Sequence, residues 1–123
     1  MMIRLFVSLV ATLFILVPAA VQAQAAAQAV QPPAFSSSRI IVETRGTGPD
    51  IIFIPGLGST GSAWRSTADR LDDRYRVHLV TVRGFGETDI GDNISGGLAG
   101  PAASEIERYI RDQRIDRPAV IGR

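Results

Sequence analysis

The chain contains no cysteine and no lysine, a single histidine, a single tryptophan, and no block of like charge. Without cysteine, disulfides, thiolate zinc sites and a cysteine nucleophile are excluded. The thirteen basic residues are all arginine, which reads as compositional bias rather than chemistry. Twelve acidic residues offset them to a formal charge of +1, so neither nucleic acid nor an anionic membrane surface is an expected partner. With 123 residues there is room for one domain.

The first residues have the character of an export signal. Arg4 supplies the positive start, Leu5 to Val17 are apolar, Pro18 breaks the run, and Val21 and Ala23 form a small-x-small site before Gln24. That pattern predicts a signal peptide over residues 1–23. The apolar run falls short of the roughly 20 residues that a bilayer core demands. The protein is therefore expected in the periplasm or the medium, without a stable membrane anchor after cleavage. Residues 24–38, rich in Ala, Gln, Pro and Ser and without charge, read as a mobile linker.

From Arg39 the texture becomes that of a folded domain. "RIIVETR", "GTGPD" and "IIFI" suggest a hairpin leading into a buried strand. Trp64, Thr67, Ala68 and Leu71 then recur at helical spacing. "RVHLVTV" (76–82) is apolar enough to be a strand covered on both faces. After a long loop, Gly100 and Pro101 open a helix with Ala103, Ile106, Ile110 and Gln113 on one face, and "PAVIG" begins another strand. Alternating β and α units predict an α/β fold with a parallel-rich sheet flanked by helices.

Gly56, Gly58 and Gly61 form a literal G-x-G-x-x-G between a strand and a helix, which raises the alternative of an NAD(P)-binding domain of Rossmann type. The acidic residue that such a domain places about 20 positions further on is absent near Val82, where Arg83 stands. The competing account is a loop whose glycines let backbone N–H groups approach a reacting oxygen. Ser59, Thr60 and Ser62 beside it read as helix-capping hydroxyls, for want of a neighbouring base. His78 lies mid-strand and reads as a packed histidine, because a catalytic base must project from a loop at the carboxyl edge of the sheet. Glu87, Asp89 and Asp92 do not follow calcium-loop spacing, and no metal or cofactor is expected.

Taken in order, "IIFIPGLGSTGSAW", "YRVHLVTVRGFGETD" and "RPAVIG" resemble the first half of an α/β-hydrolase domain of the serine-hydrolase, esterase-like kind. The resemblance implies that Gly56 and Gly58 belong to the oxyanion loop and that the backbone N–H of Leu57 faces the oxyanion. Pro55 stands where the family commonly has histidine, and Gly58 in place of proline argues against the epoxide-hydrolase and dehalogenase branches. Arg83 to Gly86 resemble a loop that shapes the active-site mouth, with Thr81 replacing an aspartate. Gly122 and Arg123 match the start of G-x-S-x-G, so the nucleophile, the acid and the catalytic histidine all lie outside these 123 residues, and the chain contains no catalytic side chain of its own. The expectation is the N-terminal portion, 39–123, of a hydrolase acting on a small ester-like substrate. A truncated, non-enzymatic product is the other alternative, and self-association through an unpaired strand edge is expected of the chain as written.

Overall fold

The structure, a computed structural model, describes residues 34–123. The expected signal peptide and most of the expected linker lie outside the described residues. Four strands form one mixed sheet: β1 (Ile40–Arg45), β2 (Asp50–Ile54), β3 (Arg76–Val82) and β4 (Ala119–Gly122), in the order β1-β3-β2-β4. β2 pairs in parallel with β3 on one side and β4 on the other, while β1 runs antiparallel along β3. A 3₁₀ turn (Gly61–Trp64) and the short helix α1 (Arg65–Ala68) join β2 to β3, and the 14-residue helix α2 (Ala99–Asp112) leads to β4.

The expected hairpin between β1 and β2 does not form. β3 is inserted between them, so the link at residues 46–49 crosses two strand spacings of about 4.8 Å each rather than one. Its turn residues suit either path, and the strand that separates its two ends comes from 30 residues further along, where no local signal can report it. The link runs tightly over the segment before β3. Gly46 has φ +73°, and a Cβ there would lie 2.4 Å from the carbonyl oxygens of Asp72 and Tyr75.

Each face of the sheet carries its own core. On the α1 side Ile51, Phe53, Val77 and Leu79 pack with Ala68, and Trp64, Leu71 and Tyr75 close the cluster. On the α2 side Ile40, Ile52 and Val80 pack with Ile106, flanked by Phe35, Val42 and Ile110. β3 contributes alternate residues to both, as its sequence requires of a strand covered on two sides. The expected helical stripe from Trp64 to Leu71 is present, but only its middle is α-helical. The buried face of α2 is Ala102, Ile106 and Tyr109 rather than Ala103, which is exposed. Ala102, one turn before Ile106, holds the place expected of Ala103, and Tyr109 joins that face because its hydroxyl has polar partners inside the sheet, described below, that hydropathy does not register.

Residues 34–38, placed in the linker by composition, are held by the fold. Phe35 packs edge-on against Tyr109 with ring centroids 4.8 Å apart, and Arg108 lies over Phe35 while donating to the Ser36 carbonyl at 2.7 Å. Ser37 Oγ accepts from the backbone N–H groups of Arg39 and Ile40. β4, by contrast, is exposed along its whole length, and among the described residues its outer edge has no partner strand. No described helix is long and apolar enough to cross a membrane.

Candidate active site

The parallel strands bring two of the sequence-predicted segments together at their carboxyl ends. The ladder of β2 stops at Ile54 because Pro55 has no N–H to continue it. The chain then turns through Gly56, Leu57, Gly58 and Ser59, closed by the Ser59 N–H donating to the Gly56 carbonyl at 3.0 Å. Gly58, third in the turn, has φ +79° with open space around it, the pattern of a type II turn, which requires glycine for its backbone conformation. At Gly56 the constraint is space instead: a Cβ there would lie 3.1 Å from the Arg123 carbonyl oxygen, so the strand end would have to give by a few tenths of an ångström. Leu57 projects outward, 87% exposed, and among the described residues nothing accepts from its N–H.

Arg123 reaches this position because Gly122 is in register with Ile54 across the β2–β4 pair. Gly56 to Gly58, expected in an oxyanion loop, and Gly122 and Arg123, expected at an elbow approach, are therefore neighbours at the carboxyl ends of β2 and β4. The loop is also anchored from behind. The Trp64 indole N–H donates to the Ile54 carbonyl at 3.1 Å, and the Gly61 N–H donates to Thr81 Oγ1 at 2.8 Å. Gly61, the last glycine of the G-x-G-x-x-G, packs against Leu79 and Val80 and opens a 3₁₀ turn. The three glycines thus answer three separate steric demands.

An apolar cleft of about 300 Å³ opens beside the loop, between Leu57, Val82, Phe85 and the Ala102 and Ile106 side of α2. The Arg83 to Gly86 loop forms one wall, and its position is set by Arg83, which pairs with Asp89 and donates to the Ser37 carbonyl at 3.2 Å. Asn93 ties the same region down, donating to the carbonyls of Arg39 and Arg83 at 2.9 and 3.0 Å. Of the loop acids, Asp89 is paired with Arg83 and Asp92 accepts from Ser38. Among the described residues no group of three potential ligands is placed to hold a metal. Thr60 occupies the expected cap position, but its hydroxyl bonds Ser62 Oγ at 2.6 Å instead of a backbone N–H. The capping role assigned to these hydroxyls is therefore not observed at Thr60.

His78 is a packed strand histidine, as its position predicts, within a polar network that sequence reasoning missed. Its Nε2 lies 2.8 Å from Asp50 Oδ1 and its Nδ1 lies 2.7 Å from the Tyr109 hydroxyl, with Thr44 Oγ1 3.2 Å from that hydroxyl. An ionised Asp50 only accepts, so Nε2 carries the proton and Nδ1 accepts from Tyr109. Arg76 holds both oxygens of Asp50. Burial pushes the His78 ring below its usual pKa, against the pull of Asp50. Burial by itself would raise Asp50, but hydrogen bonds and charge from Arg76 and His78 together hold it below the usual carboxylate range. Burial raises Tyr109. The network sits at the amino-terminal ends of β2 and β3, away from the loop of Leu57, and its work is structural. An aspartate opening an apolar strand and a histidine inside another were its visible traces.

The chain as a whole has counterparts among known proteins. The model of the alpha/beta hydrolase family matches residues 51–122. Pimeloyl-[acyl-carrier protein] methyl ester esterase from Aeromonas hydrophila subsp. hydrophila is 37% identical over 74 residues, covering 60% of this chain and 29% of that protein. The enzyme of the same name from Aliivibrio fischeri strain MJ11 is 39% identical over 46 residues, or 37% of this chain and 18% of that one. Among solved structures, a marine microorganism esterase superposes with a TM-score of 0.58 at 26% identity, covering 70% of this chain and 32% of its own. A putative epoxide hydrolase from Pseudomonas aeruginosa gives 0.59 at 30% identity, covering 72% and 30%. The chain thus spans less than a third of the length of these relatives, and its fold is shared by esterase and epoxide hydrolase alike. By the match over most of its described strands and helices, the chain belongs to the alpha/beta hydrolase family.

Proposed function

We propose that residues 39–123 form the oxyanion-loop half of a serine esterase active site, whose nucleophile is the residue that follows Arg123 in a G-x-S-x-G turn. The observation that carries this reading is that the Leu57 N–H, without a partner among the described residues, follows Gly56, which lies against Arg123 at the end of β4. A tetrahedral intermediate needs two donors about 3 Å from its oxygen, one from this loop and one from the residue after the nucleophile. The apolar cleft beside Leu57 suits the carbon chain of a small ester, and the pimeloyl methyl ester esterases among the relatives favour an ester substrate. We further propose that the protein is exported, with Gln24 as its mature N-terminus. Mass spectrometry of secreted material reads this directly, and retention of Leu5 to Val17 in the mature protein would make it an anchored one.

The chain Met1–Arg123 alone holds one donor and no nucleophile, so it hydrolyses no p-nitrophenyl ester beyond background. A form continuing through the next residues is labelled by a serine-reactive phosphonate at the position after Arg123. Turnover by Met1–Arg123 that is abolished by a substitution within 39–123 would overturn the assignment, as would labelling at any other position in the longer form.

A further inference from the structure

Trp64 touches both strand ends between which the reacting oxygen would lie. Its indole N–H donates to the Ile54 carbonyl at 3.1 Å, its ring rests on Phe53 with centroids 4.9 Å apart, and the Arg123 guanidinium lies 5.4 Å from its centroid. Ile54 ends β2, and Arg123 follows the last residue of β4. Because Pro55 has no N–H, the strand ladder cannot hold the chain beyond Ile54. The Ile54–Pro55 peptide is planar, so the orientation of the Ile54 carbonyl sets the direction in which Gly56 and Leu57 leave the strand. The indole N–H holds that carbonyl from the α1 side of the sheet, opposite the cleft.

We propose that Trp64 is a positioning residue of the oxyanion hole, keeping the Leu57 N–H in register with the end of β4; this rests on the serine-hydrolase reading above. Filling the core against Phe53 would need only an apolar ring, and phenylalanine would serve. The hydrogen bond and the face presented to Arg123 are what tryptophan adds. They matter because catalytic donors must be held within about 0.5 Å of their productive place, and misplacement by about 1 Å can cost about 10²-fold in rate.

Two variants test this. Trp64→Phe keeps an aromatic ring on Phe53 and removes the N–H; Arg123→Ala removes the cation from the outer face of the indole and leaves the core untouched. In backbone amide spectra of Met1–Arg123, Trp64→Phe is expected to shift the Leu57, Gly58 and Gly122 amides and to speed exchange of the Ser59 amide, whose bond to the Gly56 carbonyl closes the turn, by about 10-fold or more. The amides of β1 and β3 are expected to keep their positions. Arg123→Ala is expected to move the indole N–H and Leu57 resonances together, and it decides the matter if Trp64→Phe does not fold. A response spread evenly over β1 and β3, or an unmoved Leu57 amide, overturns the role of Trp64 whatever the activity. In a longer form that hydrolyses an ester, Trp64→Phe lowers kcat by about 10²-fold with KM held within about two-fold; a raised KM at unchanged kcat overturns the proposal. A local amide response in Met1–Arg123 together with a longer form that hydrolyses no ester overturns the hydrolase reading instead, so the two failures are distinguishable.

Discussion

Gly56 stands directly against Arg123: a Cβ on the glycine would lie 3.1 Å from the arginine's carbonyl oxygen. Two segments separated by more than 60 positions in sequence are thereby brought to one sheet edge at near-contact distance. Gly58, two residues along, meets nothing within 4 Å and is held to glycine by its positive φ. The two positions therefore respond differently to the same substitution.

Gly58→Ala is expected to destabilise the chain by about 1 kcal/mol, the penalty for a Cβ in the left-handed region. Gly56→Ala is expected to cost less, under about 1 kcal/mol, because the end of β4 can retreat by a few tenths of an ångström. It should nevertheless move the Arg123 and Leu57 amides, which Gly58→Ala leaves closer to their places at the strand end. Urea unfolding of both variants gives the ranking, and the reverse order would contradict the steric assignment.

Stability should depend on pH through His78. Its folded pKa lies below the ordinary value of 6.5, so between the two values the unfolded chain binds the proton that the folded chain refuses. The contribution of the buried neutral ring is complete above about 6.5 and is lost as pH falls through that value toward the folded one. Asp50, also depressed from 3.8, adds a second loss at lower pH, as its carboxylate is protonated and releases Arg76 and His78. Urea midpoints measured from pH 8 to pH 3 should fall in these two stages. His78→Phe should remove the first stage while lowering stability at every pH, since Asp50 and Tyr109 each lose a partner. A midpoint that does not change between pH 7 and pH 5 in the wild-type chain would refute the neutral buried histidine.

The end of α2 offers a stabilising change. Arg114 has φ +52°, its N–H donates to the Arg111 carbonyl at 3.1 Å, and the Ile115 N–H donates to the Ile110 carbonyl at 2.9 Å. These are the two bonds of a Schellman motif with arginine in the position usually held by glycine. Arg114→Gly is expected to raise stability by about 0.5–1 kcal/mol, because the strain is confined to the Cβ. A lower melting temperature for the variant would show that the arginine side chain has a role of its own there.

β4 predicts association. Val120 and Ile121 are 54% and 39% exposed, and the outer edge of the strand presents unpaired N–H and C=O groups among the described residues, a ready template for another strand. Purified Met1–Arg123 should elute from size exclusion as larger species at rising concentration, and Val120→Lys should shift it toward monomer. A wild-type chain that stays monomeric throughout would show that this edge is covered in solution.

Much of this was legible in the amino-acid order itself. β3 spans the predicted run because a strand covered on both faces is largely apolar, and β4 falls on the short apolar run before Arg123 although it is exposed. The turn at Gly56 to Gly58 was legible because glycine is the residue that tolerates both a positive φ and a close approach, and the succession of three motifs pointed to the family. What local patterns could not reveal was which segments become neighbours. The spacing around residues 46–49 looks like a hairpin until β3 takes the place between β1 and β2. Ala103 looks like a core residue until the face of α2 that is buried proves to be that of Ala102, Ile106 and Tyr109, the last with its hydroxyl against His78. Trp64 reads as one more apolar position until the end of β2 is found beneath its indole N–H, and Arg123 over its ring. Periodicity and turn chemistry are properties of a few consecutive residues, so the sequence by itself determined most of the elements and the glycine turn after β2. Pairing, polar burial and the close passage of Gly56 by Arg123 depend on contacts between distant segments, and only the tertiary structure decided those.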